Sequence, residues 1–388
     1  MTVKSSLLIK FLLLALSVGL AACGKESPQT GADGEQVVRI GSVAPLTGPQ
    51  SHLGKDNENG ARMAIDDLNA RGVTIGGKKV KLELISEDDQ TDPKTATIVA
   101  QKLVDQKVNG VVGHLNSGTS IPASKIYADA GIPQISPSAT AIAYTAQGFK
   151  TAFRVMTNDL QQGKVLGEYA VKKMGAKKIA IIDDRTAYGQ GLADEYEKAA
   201  KAAGAKIVAR EYTTDRSTDF LAILTTIKGK KPDVVFYGGM DVQGAPMVKQ
   251  MHSLGLQAKF LGGDGIQMAE FVKIAATSAE DVTASSPGLP IDKMPGGKEF
   301  NERFTAKYGK IQNYAPYAYD AVMIMVAAME KAGSAEPAKY LPELAKITYQ
   351  GVTGPISFDE KGDIKGGAVT LYRVHNGEWE ALETMGGN

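Results

Sequence analysis

The 388-residue sequence predicts an α/β protein built as two parallel-sheet lobes. Three observations carry that prediction. Strand patterns alternate with 3.6-period helical patterns from Val37 onward. The alternation restarts after about residue 160, giving two βαβ series of similar length, and parallel strands need crossover helices. The roughly 350 residues beyond position 36 exceed one ordinary core and suit two domains.

Each element has its own signal. Val38–Val43 reads as an opening strand. Ala61, Ala64, Ile65 and Leu68 place one apolar face on a helix over 60–68. Val80, Leu82 and Leu84 alternate with Lys81 and Glu83, which predicts a strand. Asp92-Pro93 supplies an N-cap and first helical residue for a helix running to Val104. Gly110–Gly113 is a short buried strand, 121–130 a helix, and Pro133–Ser136 the next strand. In the second series, helices over 161–174, 190–203, 218–228 and 243–253 precede strands at 178–182, 207–212, 233–237 and 259–261. Two strong helices follow at 299–307 and 316–331. Ile356–Phe358 and Val369–Val374 read as a late strand pair with a Gly-rich link.

The beginning of the chain lies apart from the fold. Lys4 and Lys10 form a positive n-region, and Leu7 to Leu20 is an apolar run. At roughly a dozen residues it is too short to span about 30 Å of hydrocarbon, and it fits an export signal over 1–22. Leu20-Ala21-Ala22-Cys23 resembles a bacterial lipobox, with A-x-A-type cleavage beside a chance cysteine as the alternative. Both place the mature chain outside the cytoplasm. Cys23 is the sole cysteine, so an intramolecular disulfide is impossible. Residues 23–36 read as a lipid-anchored flexible tether. Net charge is +1 with both signs interspersed, which gives no pointer to nucleic acid.

In open parallel sheets, ligands bind beyond the carboxyl ends of strands. The segments in those places are 113–120, 136–140, 183–189, 238–241 and 262–265. The first lobe offers hydroxyls and helix N-termini, which favour an anion such as a carboxylate. The second offers aromatics and carboxylates, and Asp264 suits an ammonium group. A zwitterion satisfies both sides, whereas Ser and Thr after strands also serve as helix caps.

VGHLNSGTSIPAS (112–124), ISPSATA (135–141), DRTAYGQGLA (184–193), VFYGGMD (235–241) and FLGGDG (260–265) closely resemble periplasmic leucine/isoleucine/valine-binding proteins. VAPLTGPQSHLGKD (43–56), DDQTDPKTA (88–96) and GPISFDEKGDIKG (354–366) extend the likeness over nearly the whole mature chain. The resemblance implies a type I periplasmic binding fold: two Rossmann-like lobes joined by three crossovers, feeding an ABC importer. It implies lobe 1 from 37–158 and 287–354, and lobe 2 from 159–286 and 355–388. It further implies that Ser117 and the backbone N–H groups of Ser117 and Thr140 bind the ligand α-carboxylate. The Ser138 carbonyl and Thr140 hydroxyl take the α-ammonium, with Ala139 between them and Asp264 as counter-charge. Tyr188 closes over the α-groups, and Leu53, Leu115, Asn116, Met240 and Tyr314 border the side-chain pocket.

Three departures from the family pattern stand out. Thr91 and Asn116 occupy loops that some members bridge with a disulfide. Asp264 is one methylene shorter than the frequent glutamate. Met240 stands where branched-chain binders commonly carry an aromatic, and methionine is adaptable.

The expected function is capture of an amino acid, branched-chain aliphatic first, by hinge closure and its delivery to permease subunits, with the binding protein a monomer. A sensor of the same fold, or a ligand such as urea, an amide or an aromatic amino acid, is the alternative. No cofactor, metal site or catalysis is expected. There is no dinucleotide fingerprint, P-loop, nucleophile elbow or zincin motif. His52, His114, His252 and His375 lack metal-ligand spacing. His114 reads as a packed or loop-fixing residue, and Trp379 as local packing.

Overall fold

The computed structural model describes residues 35–387, so Cys23 and the export signal lie outside the described residues. The first lobe holds β1 (Gln36–Ala44), α1 (Ser51–Arg71), β2 (Thr74–Ile75), β3 (Lys78–Asp88) and α2 (Pro93–Asp105). It continues with β4 (Gly110–Gly113), α3 (Ser117–Asp129), β5 (Gln134–Ser136), α4 (Ala143–Ala146) and β6 (Ala152–Arg154). Its six-stranded sheet has the order β2-β3-β1-β4-β5-β6. All neighbours are parallel except the β2–β3 hairpin. Asp92 caps α2 as expected, accepting from the Thr95 N–H at 2.6 Å.

The second lobe holds α5 (Asp159–Lys172), β7 (Lys178–Asp183), α6 (Ala187–Ala202), β8 (Lys206–Tyr212), α7 (Leu221–Lys230) and β9 (Val234–Gly238). α8 (Asp241–Ser253), β10 (Lys259–Gly262), α9 (Ala269–Ala275) and β11 (Thr283–Pro287) follow. The chain then forms α10 (Gly297–Tyr308), α11 (Ala315–Ala332), α12 (Pro337–Ala345), β12 (Tyr349–Gln350) and β13 (Pro355–Ile356). It ends in β14 (Ala368–His375) and β15 (Glu378–Gly386). The second sheet has the order β15-β14-β11-β10-β9-β7-β8.

α11 returns to pack on α1. A Cβ on Gly60 would lie 2.2 Å from the Ala315 carbonyl oxygen, so glycine is what lets the two backbones touch. Three connections link the two halves: β6 of the first sheet leads to α5 and the second sheet, β11 of the second sheet leads to α10 and to α11, which packs on α1, and the chain returns to the second sheet at β14.

The late strands differ from the sequence expectation. Ile356 pairs with Tyr349 in a small hairpin of its own, not with the 369–374 strand. β14 instead lies antiparallel between β11 and β15, so the second sheet is mixed. β11 reads TASSP and β6 spans three residues, too polar or too short to announce a strand. Their neighbours in the sheet, not their own pattern, make them strands.

Candidate functional site

On the first lobe, β4 runs out at Gly113 and α3 begins at Ser117, leaving first-turn N–H groups at its N-terminus. Asn116 makes no capping bond and instead donates through Nδ2 to Gln50 Oε1 at 2.8 Å. Two loops are tied side by side here. Ser117 Oγ accepts from the Ala141 N–H at 3.1 Å, and Ser138 Oγ donates to the Leu115 carbonyl at 3.0 Å. Ser136 Oγ accepts from the Ala139 N–H and donates to the His114 carbonyl, both at 2.9 Å. His114 is fully buried, 2.8 Å from Asp89 Oδ2 and 3.1 Å from the Tyr127 hydroxyl, and so braces the loop from behind.

Arg154, at the end of β6, frames the second loop. Its side chain is fully buried, and Nη1 donates to the Ala139 and Ala141 carbonyls, each at 2.9 Å. Those carbonyls flank Thr140. Nε pairs with Asp363 at 2.5 Å, and Asp363 also accepts from Asn158 and Thr145. One guanidinium therefore fixes the loop that carries Thr140 and joins two of the three interlobe passages.

The second lobe contributes Tyr188 from α6, Met240 just before α8, and Asp264 just after β10. Asp264 is 1% exposed, which makes its bonding decisive. Its Oδ1 accepts from Gln162 Nε2 at 3.0 Å and from the Tyr188 hydroxyl at 2.9 Å. Its Oδ2 accepts from the Tyr314 hydroxyl at 2.8 Å, a bond that crosses the cleft from the first lobe. Tyr314 is held by Asp56 of α1, whose carboxylate accepts the N–H groups of Gln312, Asn313, Tyr314 and Ala315. Burial, with the Asp264 charge beside them, keeps the Tyr188 and Tyr314 phenols protonated as donors. Burial also raises Asp264 itself, against the three bonds it accepts. Leu53, Leu115, Tyr188, Met240 and Tyr314 fall within one contiguous apolar cluster. The Tyr314–Asp264 bond thus holds the two lobes closed on each other.

Asp159, the first residue of α5, is the functional candidate that sequence reasoning missed. It is fully buried and has no well-formed hydrogen bond among the described residues, the Thr140 hydroxyl acting on it only as a weak donor. Burial, and then the negative charge of Asp264, push its pKa up to about 8. The Thr140 hydroxyl is likewise buried and makes no well-formed hydrogen bond of its own, only the weak contact to Asp159. An unpaired buried carboxylate is costly unless a cation meets it. The cleft therefore pairs an amide- and hydroxyl-rich wall on one lobe with two adjacent carboxylates reached from the other. In sequence, the only trace is an acid at a helix start, which reads equally as a favourable first-turn charge.

Two α/β lobes closed on each other over a polar cleft define a small-molecule-binding protein. No helix among the described residues is long and apolar enough to cross a membrane. The periplasmic binding protein family profile matches residues 37–378, and the chain belongs to that family. It is 35% identical to the Leu/Ile/Val-binding protein BraC3 of Rhizobium johnstonii over 96% of this chain and 100% of that protein. It is 34% identical to the leucine-, isoleucine-, valine-, threonine- and alanine-binding protein of Pseudomonas aeruginosa over 94% and 96% of the two chains. Among solved structures it superposes on the leucine-binding protein LivK of Thermotoga maritima with a TM-score of 0.84, at 27% identity over 90% and 98%. The isoleucine complex of Streptococcus pneumoniae LivJ gives a TM-score of 0.83, at 30% identity over 90% and 100%.

Proposed function

We propose that this protein captures a branched-chain aliphatic amino acid between its lobes and delivers it to the permease of an ABC importer. The observation that carries this reading is the pairing of a hydroxyl- and N–H-rich wall (Ser117, Ser138, Ala139, Thr140) with the buried carboxylates Asp264 and Asp159. The ligand α-carboxylate lies at the N-terminus of α3, where the Ser117 hydroxyl and N–H groups meet it. The α-ammonium lies against the Ser138 carbonyl, the Thr140 hydroxyl and the two aspartates. Tyr188 closes over the α-groups, and Leu53, Leu115, Asn116, Met240 and Tyr314 enclose the side chain.

Closure follows from the same chemistry. Asp159 and Asp264 stand side by side on the second lobe, so closing the first lobe over them strips water from two like charges, and a bound ammonium offsets their repulsion. The ligand thus selects the closed state through differential contacts. The lobes comprise 37–158 with 287–354, and 159–286 with 355–388. The protein works as a monomer in the periplasm, tethered through residues 23–36 and an acylated Cys23, without cofactor or catalysis.

The test is a thermal-shift and calorimetric screen of ligand-stripped protein against the L-amino acids, urea and short amides. A ligand at 100 times its dissociation constant adds about 2.7 kcal/mol of stability. Selective shifts with leucine, isoleucine or valine are expected, and Asp264→Ala abolishes them while the far-ultraviolet spectrum stays native. Shifts confined to amides, urea or an aromatic amino acid redirect the ligand but keep the trap. Full-affinity binding by Asp264→Ala refutes the site.

A further inference from the structure

The lobes meet a second time, through residues the site above does not use. His52 stands in the first turn of α1, beside Leu53, and Asp241 opens α8 in the other lobe. His52 Nε2 lies 2.9 Å from Asp241 Oδ2, a contact between residues 189 apart in sequence. Asp241 is fully buried, whereas the His52 side chain keeps 22% of its surface. The other Asp241 oxygen has no hydrogen-bond partner among the described residues, so the charge of that carboxylate leans on His52. Because the partners sit on different lobes, hinge opening separates them and returns both to water.

We infer that His52 and Asp241 form a latch that shuts with the lobes and takes up a proton at His52, so that its contribution to ligand affinity falls as pH rises across neutrality. The inference rests on the reading that ligand binding closes the hinge. A carboxylate buried with one partner is stabilised far more by an imidazolium than by a neutral imidazole. The charged groups that bear on the ring are Asp241 of α8 and Glu270 of α9, together with the Pro49 carbonyl of its own turn. Burial lowers His52, but the Asp241 hydrogen bond and charge, then Glu270 and Pro49, outweigh it and leave His52 raised. The sign follows: a group raised in the closed state favours closure at low pH, and the benefit is lost as pH climbs through its closed-state value. Asp159 acts oppositely, since a ligand ammonium displaces its proton. The difference between wild type and a His52 variant therefore isolates the latch.

The experiment measures amino-acid dissociation constants by calorimetry between about pH 5.5 and 8.5, a span that brackets ordinary histidine titration, for wild type, His52→Gln and Asp241→Asn. Glutamine keeps a neutral donor but cannot carry the charge. Wild type is expected to bind about two- to fivefold tighter than His52→Gln at the acid end, the size of a partly exposed ion pair, and equally at the alkaline end. Buffers of different ionisation heat should show more proton uptake on binding for wild type. Superimposable pH profiles overturn the latch, and so does an Asp241→Asn profile with the wild-type difference intact. Small-angle scattering of ligand-free protein tests the same contact without an amino acid. A larger closed fraction for wild type than for His52→Gln at acid pH supports the latch, and equal fractions refute it. Failure of wild type to bind any amino acid bears on the proposed ligand, and the scattering comparison then decides the latch alone.

Discussion

Replacing Asp159 with asparagine should act in opposite directions on stability and on binding. In the closed protein, burial and the neighbouring Asp264 hold Asp159 at about 8, against an ordinary 3.8. A gap of about four units at about 1.36 kcal/mol each sets a ceiling on the order of 5 kcal/mol. The folded chain holds this proton to higher pH than the unfolded chain does. The stability it contributes is therefore complete below about pH 4 and drains as pH rises toward 8. Hinge opening hydrates the carboxylate, so the measured loss falls below that ceiling. Asparagine removes this pH dependence and should raise the ligand-free melting temperature at pH 7.5 relative to wild type. Binding moves the other way. Losing one charge-assisted bond to the ammonium costs about 1.5–3 kcal/mol, or roughly 10- to 150-fold in dissociation constant. Calorimetric unfolding from about pH 4 to 8, with titrations of the preferred amino acid, reads both effects. Unchanged affinity would refute contact between Asp159 and the ligand, and an unchanged pH slope would refute the buried proton.

Three further substitutions probe the supports of the site. Arg154→Met strands the Asp363 carboxylate and frees the Ala139 and Ala141 carbonyls, so about 3–5 kcal/mol of stability should be lost in urea titrations. Adding Asp363→Leu should recover part of that loss. Asp56→Ala leaves four backbone N–H groups of 312–315 without their acceptor. It should weaken binding as well as stability, because Tyr314 is released from Asp264. Leu53→Ala, at a fully buried position, should cost about 2–5 kcal/mol, measured by chemical unfolding.

The fold was largely legible because its signals are local. Apolar periodicity, the Asp92-Pro93 start and the glycines at strand ends each act within a few residues, and the structure places β1, α2, β4 and the second βαβ series where those signals lie. The strand-end loops were legible for the same reason, since parallel sheets present ligands at their carboxyl ends. Elements stabilised mainly by neighbours were not. α12 and β15 escaped notice, and Ile356 was paired with the wrong partner.

Local signals therefore suffice for the two-lobe α/β class and for the loops at the carboxyl ends of the strands. The roles of single buried polar residues were decided by tertiary structure. Arg154 means little until Asp363, 209 positions away, meets it. Asp56 became a backbone cap through residues more than 250 positions later. Asp159 is an ordinary helix-start acid until the second lobe folds with Asp264 beside it and packing removes its water. The physical reason is that burial, not residue type, fixes the energy of a charge. Burial depends on which distant segments pack together, and no short window of sequence records that.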